Sequence, residues 1–255
     1  MDIHFLGTTG YHPNEQQHTM CVMIPELGLV FDAGTGMFRV RDCLQTSQLK
    51  ILLSHAHLDH VLGLTFLFDI LYGRQCQVEV IGMPDKLAAI GRHLFSEPLF
   101  PVAPPYRDVS LPQADAVSGS WEVCPGIQAT WFPVQHPGDA VGYRLDFPDG
   151  KSLAYVTDTT ASVDADYLQY IQQVDLLIHE CYFPDGLEDL AAKTGHSCLT
   201  PVIQVAEKVQ AGKVALIHLN PLQQWAPNLS SLGADYSGPP VVIPHDRQVL
   251  SFPPN

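Results

Sequence analysis

The chain has 255 residues, 46% of them hydrophobic and 16% charged, with 27 acidic residues against 13 basic ones. That length can bury a substantial core, and a 9% aromatic content excludes an intrinsically disordered chain. The longest apolar run, 61–71, is interrupted by Asp69 and falls short of the ~18 residues a membrane span needs. The opening Met1-Asp2-Ile3-His4 has no basic leader, so a soluble, cytoplasmic protein without a secretory signal is expected.

The formal charge is −14, and no two Lys or Arg residues are adjacent. Binders of large nucleic acids neutralise phosphates with a basic stripe, so such partners are disfavoured. Six cysteines stand at 21, 43, 76, 124, 181 and 198 without a C-x-x-C pair, and are expected to be buried or inert thiols.

Strands are expected at 3–6, 19–24 and 29–31, the last two joined by a turn at Pro25-Glu26-Leu27-Gly28. The stretch 48–54 holds Leu49, Ile51, Leu52 and Leu53 almost without alternation, the pattern of a strand buried on both faces. Residues 61–72 are apolar nearly all round and predict a buried helix. Further strands are expected at 78–81, 127–132, 140–146, 152–157, 176–178 and 214–217, and helices near 84–94, 165–172 and 201–210. Pro148-Asp149-Gly150 predicts a hairpin over 143–156. The stretch 98–112 carries five prolines; it reads either as a surface connection or as a wall over a pocket. No linker divides the chain, and the mixture of strands and helices argues for stacked sheets covered by helices.

Residues 54–60 read Ser54-His55-Ala56-His57-Leu58-Asp59-His60, with candidate metal ligands directly after the buried strand and before the expected helix. In an extended chain His55 and His57 point the same way. Asp59 and His60, at the helix opening, aim back toward the same spot. Imidazole suits zinc and other transition metals, and carboxylate adds a harder ligand. The helix N-terminus adds partial positive charge, which favours an anionic substrate group. The bland alternative is a solvated histidine loop, and the apolar residues on both sides argue against it.

The H-x-H-x-D-H pattern resembles, at every position, the signature of the metallo-β-lactamase fold hydrolases. The resemblance runs the length of the chain and implies a single hydrolase domain over 1–255, of the α/β class. Its implied architecture is a four-layer αββα sandwich of two mixed β-sheets covered by helices. Phe31-Asp32-Ala33-Gly34 resembles the family's early strand-end aspartate motif, so Asp32 is expected to support the ligands from behind. His136, in Val134-Gln135-His136-Pro137-Gly138, would ligate the first metal with His55 and His57. Asp158, in Tyr155-Val156-Thr157-Asp158-Thr159, matches the bridging aspartate. His218, in Leu216-Ile217-His218-Leu219-Asn220-Pro221, matches the last ligand, and the second metal would take Asp59, His60, Asp158 and His218. Apolar, strand-like runs precede Asp158, His218 and His136, so the residues themselves also put all three at strand ends. The implied cofactors are two divalent metal ions, zinc first, with manganese and iron open.

Within this fold, Leu177-Ile178-His179-Glu180-Cys181 and Thr194-Gly195-His196-Ser197-Cys198 resemble the H-E-x-T-F and H-S-T segments of ribonuclease Z, as does Phe5-Leu6-Gly7-Thr8. In that branch the H-S-T histidine lies near the leaving group. His196 is therefore the candidate proton donor, and Asp59 would orient the nucleophile or accept its proton. His179 and Glu180 are expected to orient neighbours. Ribonuclease Z enzymes clamp tRNA with a long arm between the third-motif histidine and the bridging aspartate. Here 21 residues separate His136 from Asp158, and the expected hairpin uses nearly all of them. Pro98-Leu99-Phe100-Pro101-Val102 and the string from His136 to Arg144 instead resemble armless relatives, including cyclic phosphodiesterases.

The expected function is a dinuclear metal-dependent hydrolase acting on a small phosphodiester, cyclic ones included, by a hydroxide shared between the metals. A ribonuclease Z-like tRNA 3′-processing endonuclease and a thioesterase or lactonase on the same fold are the alternatives, with a non-enzymatic metal-binding protein behind them. Arg144 is open as a phosphate contact or a solvent-facing strand residue. Relatives resembling this branch often form homodimers, and a homodimer stays open. No membrane partner is expected.

Overall fold

The computed structural model describes residues 1–233 and 235–253. The first six strands are β1 (Asp2–Gly7), β2 (Cys21–Ile24), β3 (Leu29–Phe31), β4 (Gln48–Leu52), β5 (Gln77–Gly82) and β6 (Arg107–Ser110). They are followed by β7 (Gly119–Cys124), β8 (Ile127–Val134), β9 (Ala140–Asp146), β10 (Ser152–Val156), β11 (Leu176–Glu180), β12 (Val214–Ile217), β13 (Val241–Val242) and β14 (Gln248–Ser251). The chain divides into two compact units, one of Met1–Asp115 with His245–Phe252, the other built on Ala116–Pro244.

Each unit holds one seven-stranded mixed sheet, in the orders β14-β1-β2-β3-β4-β5-β6 and β13-β12-β11-β10-β9-β8-β7. Both sheets follow one plan, three antiparallel pairings and then three parallel ones. In the first, β4 lies between parallel neighbours, with Ile51 beside Val30 and Val80, which is why its apolar residues run without alternation. In the second, the helix Leu199–Lys208 buries Leu199, Val202, Ile203, Val205 and Ala206 in a core with Phe132, Val156 and Leu177. Each of the larger side chains contributes about 1.5–3 kcal/mol by leaving water.

The expected continuous helix over 61–72 is three short pieces instead, Leu58–Val61, the tighter Leu62–Phe66 and Leu67–Leu71. Backbone bonds explain the break. The Gly63 N–H donates to the Ala33 carbonyl at 2.7 Å, and the Ala33 N–H donates to the His60 carbonyl at 2.7 Å. The turn is thus spent on the loop after β3 rather than on its own helix. Val61, Leu64, Leu67 and Ile70 are buried, a three-residue period that suits tight turns. The strip is not buried all round: Leu62, Phe68 and Tyr72 are exposed. Residues 165–172 likewise form only the short turn Asp166–Gln169.

Several elements carried no readable pattern. β6 falls inside the proline-rich 98–112 stretch, and both β6 and β14 are edge strands with mostly exposed or half-buried residues. β7, β13 and the helix Glu188–Thr194 also went unread. The proline-rich stretch is tethered by Phe100, whose ring lies 5.9 Å from Phe68 and 5.5 Å from Phe95. All six cysteines are free thiols. Burial pushes the Cys21 and Cys181 thiols well up, and that of Cys198 up to about 11, which keeps them protonated and unreactive.

Candidate metal centre and its neighbours

In the first unit the histidine cluster is braced by one carboxylate. Asp32 leaves the end of β3 in the left-handed region, at φ 55°, with its N–H on the Leu52 carbonyl at 2.9 Å. Its fully buried side chain accepts the Ser54 N–H at 2.7 Å, the Ser54 hydroxyl at 2.8 Å and the Nδ1–H of His60 at 2.9 Å. Because the Ser54 hydroxyl donates to Asp32, its oxygen is left to accept from His55 Nδ1, 3.0 Å away. Both imidazoles therefore carry their proton on Nδ1 and present Nε2 as the lone-pair nitrogen. The His55 ring lies 4.4 Å from that of His57 and 4.2 Å from that of His60. Asp59 Oδ2 lies 3.5 Å from His60 Nε2 and accepts the Tyr11 N–H at 2.7 Å. Gly34 makes this fit: a Cβ there would stand 2.1 Å from the Asp59 carbonyl oxygen.

In the second unit the candidate ligands come from separate strand ends. His136 follows β8 and donates Nδ1–H to the Gly195 carbonyl at 2.9 Å, so it too presents Nε2. Gly195 has φ 77°, and a Cβ on it would stand 2.3 Å from Pro137 Cδ and 2.8 Å from His136 Nδ1. Asp158 follows β10 and His218 follows β12, at φ 48° and 51°. Asp and His are among the side chains that tolerate this region, and such backbone is characteristic of functional loops. Asp158 Oδ2 lies 3.6 Å from His136 Nε2, and Oδ1 lies 3.3 Å from His218 Nε2. Burial lowers the pKa of His136, against the pull of Asp158, and so favours the neutral imidazole that a metal requires.

Glu180, at the end of β11, is fully buried. It accepts the Thr159 N–H at 2.6 Å, the Ser197 N–H at 3.1 Å and His196 Nδ1–H at 3.1 Å. The Ser197 hydroxyl adds a bond to the Thr159 carbonyl at 2.6 Å, so the loop after β10 and the turn carrying His196 are stitched together. His196 stacks on Tyr182 at 4.6 Å and on His218 at 5.2 Å. Ligand atoms of Glu180, His196 and His218 lie within 4.8 Å of one another. His179 is wholly enclosed: Nδ1–H donates to the Glu180 carbonyl at 2.8 Å and Nε2 accepts the Tyr167 hydroxyl at 3.0 Å. Arg144 is committed elsewhere. It pairs with Asp146 at 2.8 Å and donates to the carbonyls of Tyr170 and Gln172 at 3.1 and 2.9 Å, so it staples β9 to the turn beyond residue 169.

The donor set suits divalent metal. A tetrahedral zinc with Zn–N and Zn–O bonds near 2.1 Å has ligand-to-ligand edges of about 3.4 Å. The separations of 3.3, 3.5 and 3.6 Å between imidazole nitrogens and carboxylate oxygens match that edge and exceed a good hydrogen bond. Asp158 faces a different imidazole with each oxygen, as a bridging carboxylate does. Tyr182, Tyr167 and Tyr11 carry no local signal, because only the fold brings them to these groups, and Ser54, next to His55, shows its role only through its bonds to Asp32.

Comparison with known proteins identifies the fold and the family. The family model described as beta-lactamase superfamily domain matches residues 29–219. Ribonuclease Z of Metallosphaera sedula is 24% identical over 86% of this chain and 88% of its own length, and ribonuclease Z of Acaryochloris marina is 24% identical over 99% and 96%. A shorter match, 44% identical to ribonuclease Z of Cytophaga hutchinsonii, covers 28% of this chain and 22% of that protein. Among solved structures, human tRNase Z, short form, superposes with a TM-score of 0.77 at 20% identity, covering 98% of this chain and 99% of that one. A diphosphatase from the PhnP family superposes at 0.71 and 16% identity, covering 98% and 96%. The αββα fold class expected from the sequence is thereby established. Among the described residues no helix is long and apolar enough to cross a membrane. The chain belongs to the beta-lactamase superfamily and is a metal-dependent hydrolase of that fold.

Proposed function

We propose that this member of the beta-lactamase superfamily is a cytoplasmic, dinuclear phosphodiesterase acting on a small phosphodiester, with cyclic ribose phosphates foremost. The observation that carries the small-substrate reading is the segment between His136 and Asp158. It is filled by β9, a turn closed by the Gly150 N–H on the Phe147 carbonyl at 3.0 Å, and β10, which leaves no length for a tRNA-clamping arm. The formal charge of −14 points the same way. The free thiols suit a reducing compartment. A homodimer, as in relatives resembling this branch, belongs to the same reading.

By the resemblance to the family, His55, His57, His136 and Asp158 would hold one divalent ion, and Asp59, His60, Asp158 and His218 would hold the second, with zinc preferred over manganese and iron. When bound, two such ions supply a nucleophile at neutral pH and neutralise charge on the phosphoryl oxygens. Asp59 orients the attacking water and accepts its proton. His196, its Nδ1 held by Glu180, delivers a proton from Nε2 to the departing alkoxide. Asp32 fixes the tautomers of His55 and His60, and His179 fixes the Glu180 backbone.

The full-length relatives named ribonuclease Z support a second reading, a tRNA 3′-processing endonuclease. Hydrolysis of bis(p-nitrophenyl) phosphate, with chelator and then with zinc or manganese restored, tests the proposal. Turnover that vanishes with chelator and returns with metal is expected. Absence of turnover with both metals bound would turn the reading toward ester and lactone substrates.

A further inference from the structure

Tyr11 combines three features that folding alone does not require. The residue is 74% exposed, its ring edge-on against His12 at 5.2 Å. Its backbone is held at φ 61°, a region in which a bulky aromatic is an outlier and glycine sits without strain. Its N–H donates to Asp59 Oδ2 at 2.7 Å, so the residue stands immediately beside a candidate metal ligand.

The loop that carries it is built to stay in place. Asp246, from the segment returning to the first unit, accepts the Thr8 N–H at 3.1 Å, the Thr8 hydroxyl at 2.9 Å and the His18 N–H at 2.7 Å, and pairs with Arg39. Gln17 Nε2 donates to the Thr8 hydroxyl oxygen at 3.0 Å, and Asn14 Oδ1 accepts the N–H groups of Gln16 and Gln17, both at 2.9 Å. The Thr9 N–H closes the base of the loop on the His18 carbonyl at 3.1 Å. A loop tied down along its length thus presents an exposed aromatic residue whose backbone meets Asp59, at the expense of a strained backbone. Strain of this kind persists where a side chain is wanted at one place.

We infer that Tyr11 is a specificity-determining residue, a stacking platform for a planar heteroaromatic group, a nucleobase, on the substrate. The inference rests on the reading of the site as one for a small phosphodiester, and narrows that substrate to a nucleotide-like one. A single base–aromatic stack is worth about tenfold or more in binding.

The test is calorimetric binding of adenosine monophosphate and of ribose 5-phosphate to the zinc-loaded protein; the two share the phosphate and differ in the base. The wild type is expected to bind the nucleotide at least about tenfold more tightly. Tyr11→Gly should bring the two within about twofold by weakening the nucleotide alone, and Tyr11→Phe should keep the preference, since the π-face is retained. Tyr11→Gly should also melt no lower than the wild type, because glycine accepts this backbone. Equal affinities in the wild type, no binding of either ligand, a preference that survives Tyr11→Gly, or a clear loss of stability in that variant would each overturn the inference. Failure of the phosphodiesterase reading shows separately, as missing metal-dependent turnover of bis(p-nitrophenyl) phosphate, while the base preference is read from binding.

Discussion

In the first unit the candidate ligands arrive from one turn, His55 to His60, behind a single strand end, and one buried carboxylate, Asp32, braces two of the rings. In the second unit they arrive from three strand ends, after β8, β10 and β12, and His136 is held by the carbonyl of Gly195, far along the chain, as the neighbouring His196 is held by Glu180. Both units use the same succession of antiparallel and parallel pairings, and in both an aspartate leaves the first parallel strand at positive φ, Asp32 after β3 and Asp158 after β10. The shared plan puts acidic side chains at corresponding places, yet one braces histidines while the other faces two imidazoles with its own oxygens. A contiguous cluster takes its geometry from its immediate neighbours; a dispersed one takes it from the whole sheet.

Substitutions can break this contrast, beginning with the strongest. Asp158→Ala removes the carboxylate that meets both His136 and His218, so at least one metal per chain should be lost and turnover should fall more than about a hundredfold. Elemental analysis of the purified variant is the check, and an undiminished metal content would refute its bridging role. His196→Ala should lower kcat by about a hundredfold while leaving metal content intact; steady-state kinetics with metal analysis would expose a merely structural histidine by unchanged turnover. Asp32→Ala acts on the first unit through its braces. It leaves the Ser54 and His60 donors buried without their acceptor, at a cost of about 3 kcal/mol, and should weaken metal binding about 10–100-fold. Urea unfolding and metal titration would measure the two effects.

The smallest expected effect is a pH dependence. Burial lowers the pKa of His179 from the ordinary 6.5, opposed by its bond to the Glu180 carbonyl and by the Glu180 charge. The unfolded chain takes up a proton below that value which the folded chain refuses. The stabilisation is therefore complete above the unfolded value and declines as the pH falls below it, by up to about 1.4 kcal/mol per pH unit for one proton. His179→Gln should flatten the loss of stability between pH 7.5 and 5.5 by about 1 kcal/mol in urea unfolding of the metal-free protein. An unchanged slope would show that His179 titrates normally.

The same contrast explains what the sequence made legible. Strands buried on both faces, such as β4, announce themselves by composition, and the histidine cluster is legible because its members are neighbours. Asp158 and His218 are isolated residues whose meaning came from the order of family motifs. The bonds of Glu180 to Thr159 and Ser197, and the Gly195 carbonyl under His136, join segments that no local pattern connects. The helix at 61–72 was misread because the Gly63 N–H goes to the Ala33 carbonyl, a partner outside any local window. Arg144 looked available until the fold spent its guanidinium on Asp146 and two carbonyls.

The most direct measurement is a side-by-side kcat/KM for a 2′,3′-cyclic or 1,2-cyclic ribose phosphate and for a precursor tRNA, with the same metal-loaded preparation. A clear preference for the small cyclic diester, abolished by chelator, is the expected result. Efficient cleavage of the precursor tRNA with little turnover of the small diesters would contradict the small-substrate reading.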